Sequence, residues 1–336
     1  MSRATAFGLG RGGGFAALAI AFPFVFNEAW IVNIGVLTLM YAALATAWNL
    51  FSGYTGYITL GQAAFFGVGA YTLGITFEHV GIGAGYNPFY ALPLIGLCIA
   101  IASLPVAWIA LRTRHMTFAI VTLTLLFIVQ QLAFNLRSLT RGSTGLMLPT
   151  PRFPIDSYDT PFYLAMLGIL LAAIALSWAT LRSKLGLMLL AIREDEEKAR
   201  GLGIRVTGAK LAAWGLMVWL TAMVGGVWAY YLTFIYPESS VDPLVMIGAV
   251  LMTFLGGKGT VWGPTIGALV LVPAQQYMIT KLGASELYLV GYAAVFMVVL
   301  LLLPKGILPS LRELIARMRE RQRTRRGGAI GSEAAA

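Results

Sequence analysis

The sequence predicts an all-α fold, a polytopic transmembrane helical bundle, and three observations lead to this class. Of the 336 residues, 58% are hydrophobic and only 11% are charged, whereas a soluble domain carries about a quarter charged residues. Apolar runs recur along the chain with roughly the 20-residue length that crosses about 30 Å of hydrocarbon. The charged residues gather between these runs, so most of the surface must face lipid.

The apolar runs give the individual spans, and the more polar stretches between them give the loops. Two runs, 13–26 and 243–256, are short for a full crossing at about 1.5 Å per residue. About ten spans are expected on this basis: 13–26, 30–51, 60–77, 89–111, 116–135, 162–181, 211–235, 243–256, 261–280 and 287–303.

Basic residues set the predicted orientation, because loops rich in Lys and Arg stay on the cytoplasmic side. With the N-terminus inside, all 24 Lys and Arg fall on the cytoplasmic side except four, which are Arg137, Arg141, Arg152 and Lys281. Both termini are therefore predicted to be cytoplasmic.

The chain divides accordingly into three regions. A cytoplasmic tail (1–12) precedes a transmembrane domain (13–308), and a basic cytoplasmic tail (309–336) follows it. The run 13–26 also has some signal-peptide character, with Arg11 before it. Its small residues lie inside the run instead of after it, which favours a retained span; cleavage would leave one span fewer in the same orientation.

The predicted spans carry no centrally placed charge, and this restricts the function. Proton pumps and voltage sensors need ionisable groups at membrane depth, although sodium coupling through backbone carbonyls stays open. His79 and His115, the only histidines, lie at span ends, and the sequence has no HExxH or Gly-x-Ser-x-Gly motif for an enzyme. The single cysteine, Cys98, excludes an internal disulfide or a cysteine-based metal site. If the chain moves a solute against a gradient, the energy is therefore predicted to come from another subunit.

The longest cytoplasmic loop, 182–210, carries a dense run of charges from Arg193 to Arg200. Acids come first and bases later, an order that suits a short helix because carboxylates stabilise its N-terminal end. Gly201 and Gly203 would end the helix. A short helix on a cytoplasmic loop fits a groove in a soluble partner.

This loop resembles the coupling loop of ATP-binding-cassette (ABC) importer permeases, which reads Glu-Ala-Ala, three residues, Gly. Glu197, Ala199 and Gly203 match it, and Lys198 replaces the first alanine. The run AIREDE at 191–196 is similar to the version found in the branched-chain amino acid ABC transporter permease family (LivM-type subunit). The resemblance implies that the loop docks on an ATPase through Arg193, Glu194, Glu197, Ala199 and Gly203.

A second segment, 53–72, is rich in glycine and in neutral hydrogen-bonding residues. It resembles a glycine-rich run of the same family but has Thr59 where serine is common and Gln62 where histidine is common. Small residues let membrane helices approach closely, and they also mark breaks that expose backbone groups to a cavity. Both interpretations, helix packing and substrate pathway, apply to Gly53, Tyr54, Thr55, Gly56, Thr59, Gly61, Gln62, Gly67 and Gly69.

A third segment, LGGKGTVWGPTIGA at 255–268, surrounds Lys258 with glycines but lacks the Walker pattern of a phosphate-binding loop. It also resembles a run of the LivM-type permeases. We interpret it as a tight turn and a helix-packing or pathway element containing Gly256, Gly257, Gly259 and Gly263.

The resemblance covers most of residues 35–308 and implies a permease in the bacterial cytoplasmic (inner) membrane. It implies four kinds of partner: a second related permease, two ABC ATPase subunits, an extracytoplasmic binding protein and a small polar substrate such as a branched-chain amino acid. ATP and magnesium would be used by the ATPases, with no cofactor, metal or catalytic residue in this chain. Urea or short amides as cargo, a stand-alone secondary transporter or channel, and a membrane-bound enzyme or scaffold are the alternatives.

Overall fold

The computed structural model describes residues 14, 18–25, 28–154, 157–282, 297, 306–311 and 313. Long helices joined by short loops make up most of this part of the chain, and residues 18–25 are also helical. Besides two four-residue helices, Arg137–Thr140 and Pro237–Ser240, these helices are α1 (Ala29–Trp48), α2 (Gln62–Val80), α3 (Asn87–Ala110), α4 (His115–Asn135), α5 (Asp159–Arg182), α6 (Lys184–Glu194), α7 (Glu196–Gly201), α8 (Val206–Leu232), α9 (Pro243–Gly256) and α10 (Gly263–Leu282).

Each span predicted between residues 30 and 280 corresponds to one long helix, namely α1 to α5 and α8 to α10. Within the described residues, 6 helical segments are long and apolar enough to cross a membrane, and α2 and α10 are not among them. The chain is therefore an all-α, multi-pass membrane protein. The predicted span 287–303 lies outside the described residues apart from Met297, so the number of spans and the placement of the termini stay predictions.

Two boundaries differ from the sequence prediction. Helix α8 begins at Val206 instead of residue 211, so the placement of Lys210 in a loop was wrong. The helix predicted around Arg193 to Arg200 begins only at Glu196, because Asp195 is extended and its side chain caps α7. Arg193 and Glu194 belong to the end of α6 instead.

Helix α8 lies at the centre of the bundle, packed against α1, α2, α3 and α5. Glycines allow it to approach α2 closely, as small residues do between membrane helices. A Cβ atom on Gly69 would lie 2.2 Å from the carbonyl oxygen of Ala222, and one on Gly225 would lie 2.0 Å from that of Phe66. The same kind of contact joins α9 to α10, where a Cβ on Gly256 would lie 1.7 Å from the Gly263 carbonyl. These glycines are helix-packing positions.

Aromatic rings fill the end of the bundle that contains Glu78 and Arg141, an ion pair at 2.5 Å. Phe162 contacts both Tyr230 and Tyr231. The Tyr231 hydroxyl donates to Asp159 at 2.7 Å. A short antiparallel ribbon of β1 (Leu146–Met147) and β2 (Phe234–Ile235) covers this end. Segments that the sequence predicts on the outer side of the membrane thus meet at one end of the bundle.

Candidate coupling site at the charged end of the bundle

The opposite end, here called the charged end, is formed by residues 111–115, 182–210 and 257–262. Its most prominent feature is α7, a helix of 6 residues set off from α6 by a break at Asp195. The Asp195 carboxylate accepts hydrogen bonds from the backbone N–H groups of Glu197 and Lys198, both at 3.0 Å. Hydrogen bonds from the Lys198 backbone and ammonium hold the pKa of Asp195 below its ordinary value. The carboxylate therefore fixes the start of α7 at neutral pH, as an N-cap does.

Glu196, the first residue of α7, joins three other parts of the bundle. Its carboxylate accepts hydrogen bonds from the Lys210 ammonium at 2.6 Å, from the Tyr57 hydroxyl and from Arg200 at 3.1 Å. The Lys210 ammonium also lies 3.7 Å from the centre of the Tyr57 ring, and that ring stacks on His115 at the start of α4. The junction thus links α7 to α8, to the segment after α1 and to α4.

The electrostatics of this junction favour the ionised carboxylate. Burial alone would raise the pKa of Glu196, but the hydrogen bonds from Lys210 and Tyr57 outweigh it, and the pKa lies below its ordinary value. Burial and the neighbouring carboxylate raise the pKa of Tyr57, so its hydroxyl stays a donor. Glu196 is therefore an anion held by a cation and a phenol at neutral pH.

Arg193, near the end of α6, brings the three motifs of the sequence together. Its guanidinium donates to the Gly53 carbonyl at 3.2 Å. A Cβ atom on Gly259 would lie 2.7 Å from the Arg193 Nη1 atom, and one on Gly56 would lie 3.2 Å from its Cγ atom. Both glycines have positive φ angles, +79° at Gly56 and +81° at Gly259, which favour residues without a Cβ. The arginine therefore lies in a slot between two glycine turns.

Asn49 joins the end of α1 to the second of these turns. Its Oδ1 atom accepts from the Gly259 backbone N–H at 2.7 Å, and its Nδ2 group donates to the Thr260 carbonyl at 2.9 Å. Asn49 begins a π-helical turn, Asn49–Gly53, that extends α1. Such turns are often found at functional positions in helices. The end of α1 is thereby joined to the α9–α10 turn.

Lys258 lies in the α9–α10 turn, with its ammonium 5.4 Å from the centre of the Phe254 ring and 5.9 Å from that of Trp48. Burial and the positive charge of Arg193 lower the pKa of Lys258. The turn therefore presents a second cation beside the slot that holds Arg193.

The predicted coupling residues have different surroundings in the structure. Ala199 is buried with 2% exposure, whereas Glu197 is exposed and pairs with Arg114 at 2.9 Å. Gly203 has a φ of +83° in the turn that ends α7. Leu202, beside it, is 82% exposed. The exposed face of α7 thus combines charged side chains with one apolar side chain, that of Leu202.

The predicted pathway residues of 53–62 lie inside the chain in this structure. Thr55, Thr59 and Gln62 are at most 1% exposed. The Gln62 amide donates to the Leu44 carbonyl at 2.9 Å and to the Thr221 hydroxyl at 3.0 Å. Gly61 and Gly67 approach other backbone segments closely, as packing glycines do. The geometry therefore supports their role in packing.

Sequence reasoning missed four residues of the site: Glu196, Lys210, Tyr57 and Asn49. Glu196 was within the recognised charged run, but nothing in that run separates it from Glu197. Lys210 lies directly before a predicted span, and a lysine next to an apolar run is a signal that the cation needs a partner. Tyr57 and Asn49 carry no local signal, because their partners lie 139 and 210 positions away.

Apolar helices joined by glycine-lined contacts, with a charged helix exposed at one end, define a multi-pass membrane protein that has a candidate docking helix. Residues 30–303 match the family model described as "Branched-chain amino acid transport system / permease component". The chain belongs to this family of ABC transporter permeases, whose members are transport subunits and not enzymes.

Two curated relatives are similar over most of their length. The high-affinity branched-chain amino acid transport system permease protein LivM of Salmonella typhimurium is 29% identical over 322 residues, which cover 88% of this chain and 73% of the relative. The LivM protein of Escherichia coli gives the same values. No solved structure matches the chain.

Proposed function

We propose that this chain is the channel-forming permease subunit of a bacterial ABC importer. It moves branched-chain or related amino acids across the cytoplasmic membrane by alternating access, driven by separate ATPase subunits. The observation that carries the proposal is the arrangement of α7, which has one face free and the other tied to the spans through Glu196. A partner that binds the free face of such a helix can move the spans to which the other face is tied.

The free face supplies the chemistry for docking. Lys198 and Arg200 are exposed on α7, and Leu202 is 82% exposed just after it. An apolar side chain surrounded by charges fits a hydrophobic pocket with a polar rim, as in protein interfaces generally. We assign this surface to one of two ABC ATPase subunits, which bind the ATP and magnesium.

The contacts behind α7 supply the route for transmission. Displacement of α7 acts on α8 through the Glu196–Lys210 pair, and α8 is the helix at the centre of the bundle. Displacement of α6 acts on α1 and on the α9–α10 turn through Arg193, Gly53 and Gly259. The two routes lead from one loop to the central helix and to the group formed by α1, α9 and α10, so that movement of the loop reaches most of the bundle.

The remaining partners and the substrate follow from the family. A second related permease completes the translocation path, and an extracytoplasmic binding protein delivers the solute. The curated relatives are named for branched-chain amino acids, and we propose the same substrate class for this chain. The predicted absence of charge at membrane depth favours an ATP-driven mechanism, because a proton-driven one needs ionisable groups there.

Uptake in proteoliposomes tests this function. The chain is reconstituted with its permease partner, ATPases and binding protein, and radiolabelled leucine uptake is measured with and without internal ATP. Uptake is expected only with ATP and is expected to be reduced by excess isoleucine or valine but not by urea. Uptake by the chain without ATPase subunits would show a secondary transporter or channel, and competition by urea alone would show an amide importer.

Docking is tested separately with Leu202→Asp, which places a charge in the expected apolar pocket, and with Leu202→Met as the matched control. Leu202→Asp is expected to abolish co-purification of the ATPases while leaving the permease folded. Retention of the ATPases by Leu202→Asp would exclude this surface as the docking site.

A further inference from the structure

An apolar groove of about 280 Å³ lies between α3 and α8, on the outside of the bundle. Its walls include Leu97, Ile101 and Leu104 from α3 and Leu211 and Trp219 from α8. Leu97 is 48% exposed and Ile101 is 59% exposed. The groove therefore opens towards the surroundings of the spans and not towards the interior of the chain.

The α3 wall of the groove continues into a basic group. Leu97, Ile101 and Leu104 are spaced by four and three residues, so they form one stripe on the helix, and Trp108 extends it. Arg112 follows in the turn after α3. The Arg112 guanidinium lies 3.9 Å from the centre of the Trp108 ring. This stack holds the cation at the end of the stripe, next to the exposed indole.

The α8 wall also ends in a basic group. Going back along α8 from Gly215 through Leu211 towards the charged end, the next position on this wall is Gly208. The nearest atom to a Cβ built on Gly208 is the Arg205 Cβ, at 4.0 Å. The surface beside Arg205 is therefore open. Among the described residues, neither Arg112 nor Arg205 forms an ion pair with a carboxylate. Two guanidinium groups thus lie beyond the same end of the groove, one from each wall.

The distance from Leu97 to the basic end of the groove matches the thickness of one leaflet of a bilayer. Ala110, the last residue of α3, lies 13 residues after Leu97, a rise of about 20 Å at about 1.5 Å per residue, and Arg112 follows in the next turn. Half of a bilayer, including its headgroup region, is roughly 20 to 23 Å thick. A lipid whose phosphate lies at Arg112 would therefore reach Leu97 with the end of its acyl chain.

We propose that the groove binds a phospholipid with an anionic headgroup, one acyl chain lying between α3 and α8 and the phosphate lying between Arg112 and Arg205. The apolar walls exclude a polar solute, and the two unpaired cations favour a phosphate, which guanidinium groups bind through paired N–H donors. Basic pockets between spans on the cytoplasmic side are suited to such headgroups. The acyl-chain groove contains no residue of α7, whereas its headgroup end adjoins the coupling loop, since Arg205 lies two residues after Gly203.

Native mass spectrometry of the full transporter in detergent tests the proposal, with phosphatidylglycerol titrated against phosphatidylcholine. One phosphatidylglycerol is expected to bind tightly. The double variant Arg112→Gln/Arg205→Gln is expected to bind about thirty-fold more weakly, because each cation near an anionic headgroup contributes about a fivefold factor. Ala212→Phe, an exposed groove position, is expected to displace the lipid while both arginines remain.

Arg182→Gln is the matched control, since Arg182 stacks on Trp178 at 4.0 Å but lies at the end of α5. The affinity of the Arg182→Gln variant for phosphatidylglycerol is expected to stay within about twofold of the wild type, because this surface charge lies outside the binding site. Equal weakening by Arg182→Gln, or wild-type binding by the Arg112→Gln/Arg205→Gln variant, would contradict a specific site. Lipid retention by Ala212→Phe at wild-type affinity would also overturn it. None of these readouts depends on transport.

The native Cys98 gives a second measurement, because it is the only cysteine and is exposed on α3 beside Leu97. A nitroxide attached to Cys98 in the assembled transporter, reconstituted in nanodiscs, is expected to show the high oxygen accessibility of a lipid-facing position. An immobilised and oxygen-shielded label would mean that the second permease covers this face, and the lipid proposal would be wrong.

Discussion

The Lys210 ammonium lies 2.6 Å from the Glu196 carboxylate, and the lysine side chain is only 1% exposed. Tyr57 completes the arrangement, with its hydroxyl on the carboxylate and its ring against the ammonium. A buried charge is tolerated only when it is paired and hydrogen-bonded. This pair connects the exposed helix α7 to the central helix α8, and its disruption has measurable consequences.

Removing one partner of this pair should destabilise the protein more than removing both. Glu196→Met leaves the Lys210 charge buried and is expected to lower the unfolding free energy by about 3–5 kcal/mol. The double variant Glu196→Met/Lys210→Met is expected to recover much of this loss, as measured by thermal unfolding in detergent. Glu197→Met removes the exposed pair with Arg114 and should cost less than about 1 kcal/mol. Equal effects of Glu196→Met and Glu197→Met would contradict the buried pair.

Stability should also depend on pH through Glu196. The hydrogen bonds from Lys210 and Tyr57 hold its pKa in the folded protein below the ordinary value of about 4.3. The carboxylate therefore stabilises the fold above about pH 4.3, and this contribution is lost as the pH falls through the lower folded pKa. Glu196→Gln is expected to lose less stability than the wild type between pH 6 and about pH 3.5. Parallel curves of melting temperature against pH would show that Glu196 contributes nothing.

Arg193 should be needed for coupling more than for assembly. Arg193→Ala removes the contact with Gly53. Uptake is expected to fall about tenfold, which is in the usual range of coupling energies, while ATP hydrolysis by the complex persists. Gly259→Ala should have the same effect, because its Cβ would lie 2.7 Å from the Arg193 guanidinium. Lys184→Ala, an exposed position at the other end of α6, is the control. Normal uptake by Arg193→Ala would remove this residue from the transmission route.

The contact between α2 and α8 should not tolerate a methyl group. Gly69→Ala places a Cβ 2.2 Å from the Ala222 carbonyl, and separation of the two backbones is expected to cost about 1–3 kcal/mol. Gly168→Ala is the control, because nothing lies within 4 Å of a Cβ at that position of α5. It is expected to be neutral or to stabilise by up to about 1 kcal/mol. Denaturation of both variants in detergent measures the difference, and similar values would contradict close packing at Gly69.

The predicted orientation places Leu202 on the cytoplasmic side of the membrane. In a Cys98→Ala background, Leu202→Cys is expected to react with a membrane-impermeant maleimide in inside-out vesicles but not in intact cells. Met147→Cys, on the 78% exposed residue of the β ribbon, is expected to show the opposite pattern. Labelling of Leu202→Cys in intact cells would reverse the topology and exclude docking by a cytoplasmic ATPase.

The spans could be predicted from the sequence because the lipid environment constrains each segment separately. A run such as 116–135 must satisfy its own backbone groups and present apolar side chains, whatever its neighbours are. The helix α4, His115–Asn135, therefore lies where hydropathy predicted it. Basic residues predict the side of the membrane one loop at a time, and the orientation of this chain stays a prediction.

The sequence by itself thus determined an all-α membrane protein, the positions of most of its helices and, through three motifs, its family. Only the tertiary structure decided that Arg193 joins two glycine turns, that Glu196 and not Glu197 meets Lys210, and that Gln62 faces the interior. The physical reason is that each of these outcomes depends on a contact between residues far apart in the chain, whose geometry is set by how the helices pack and which no local pattern of residues records.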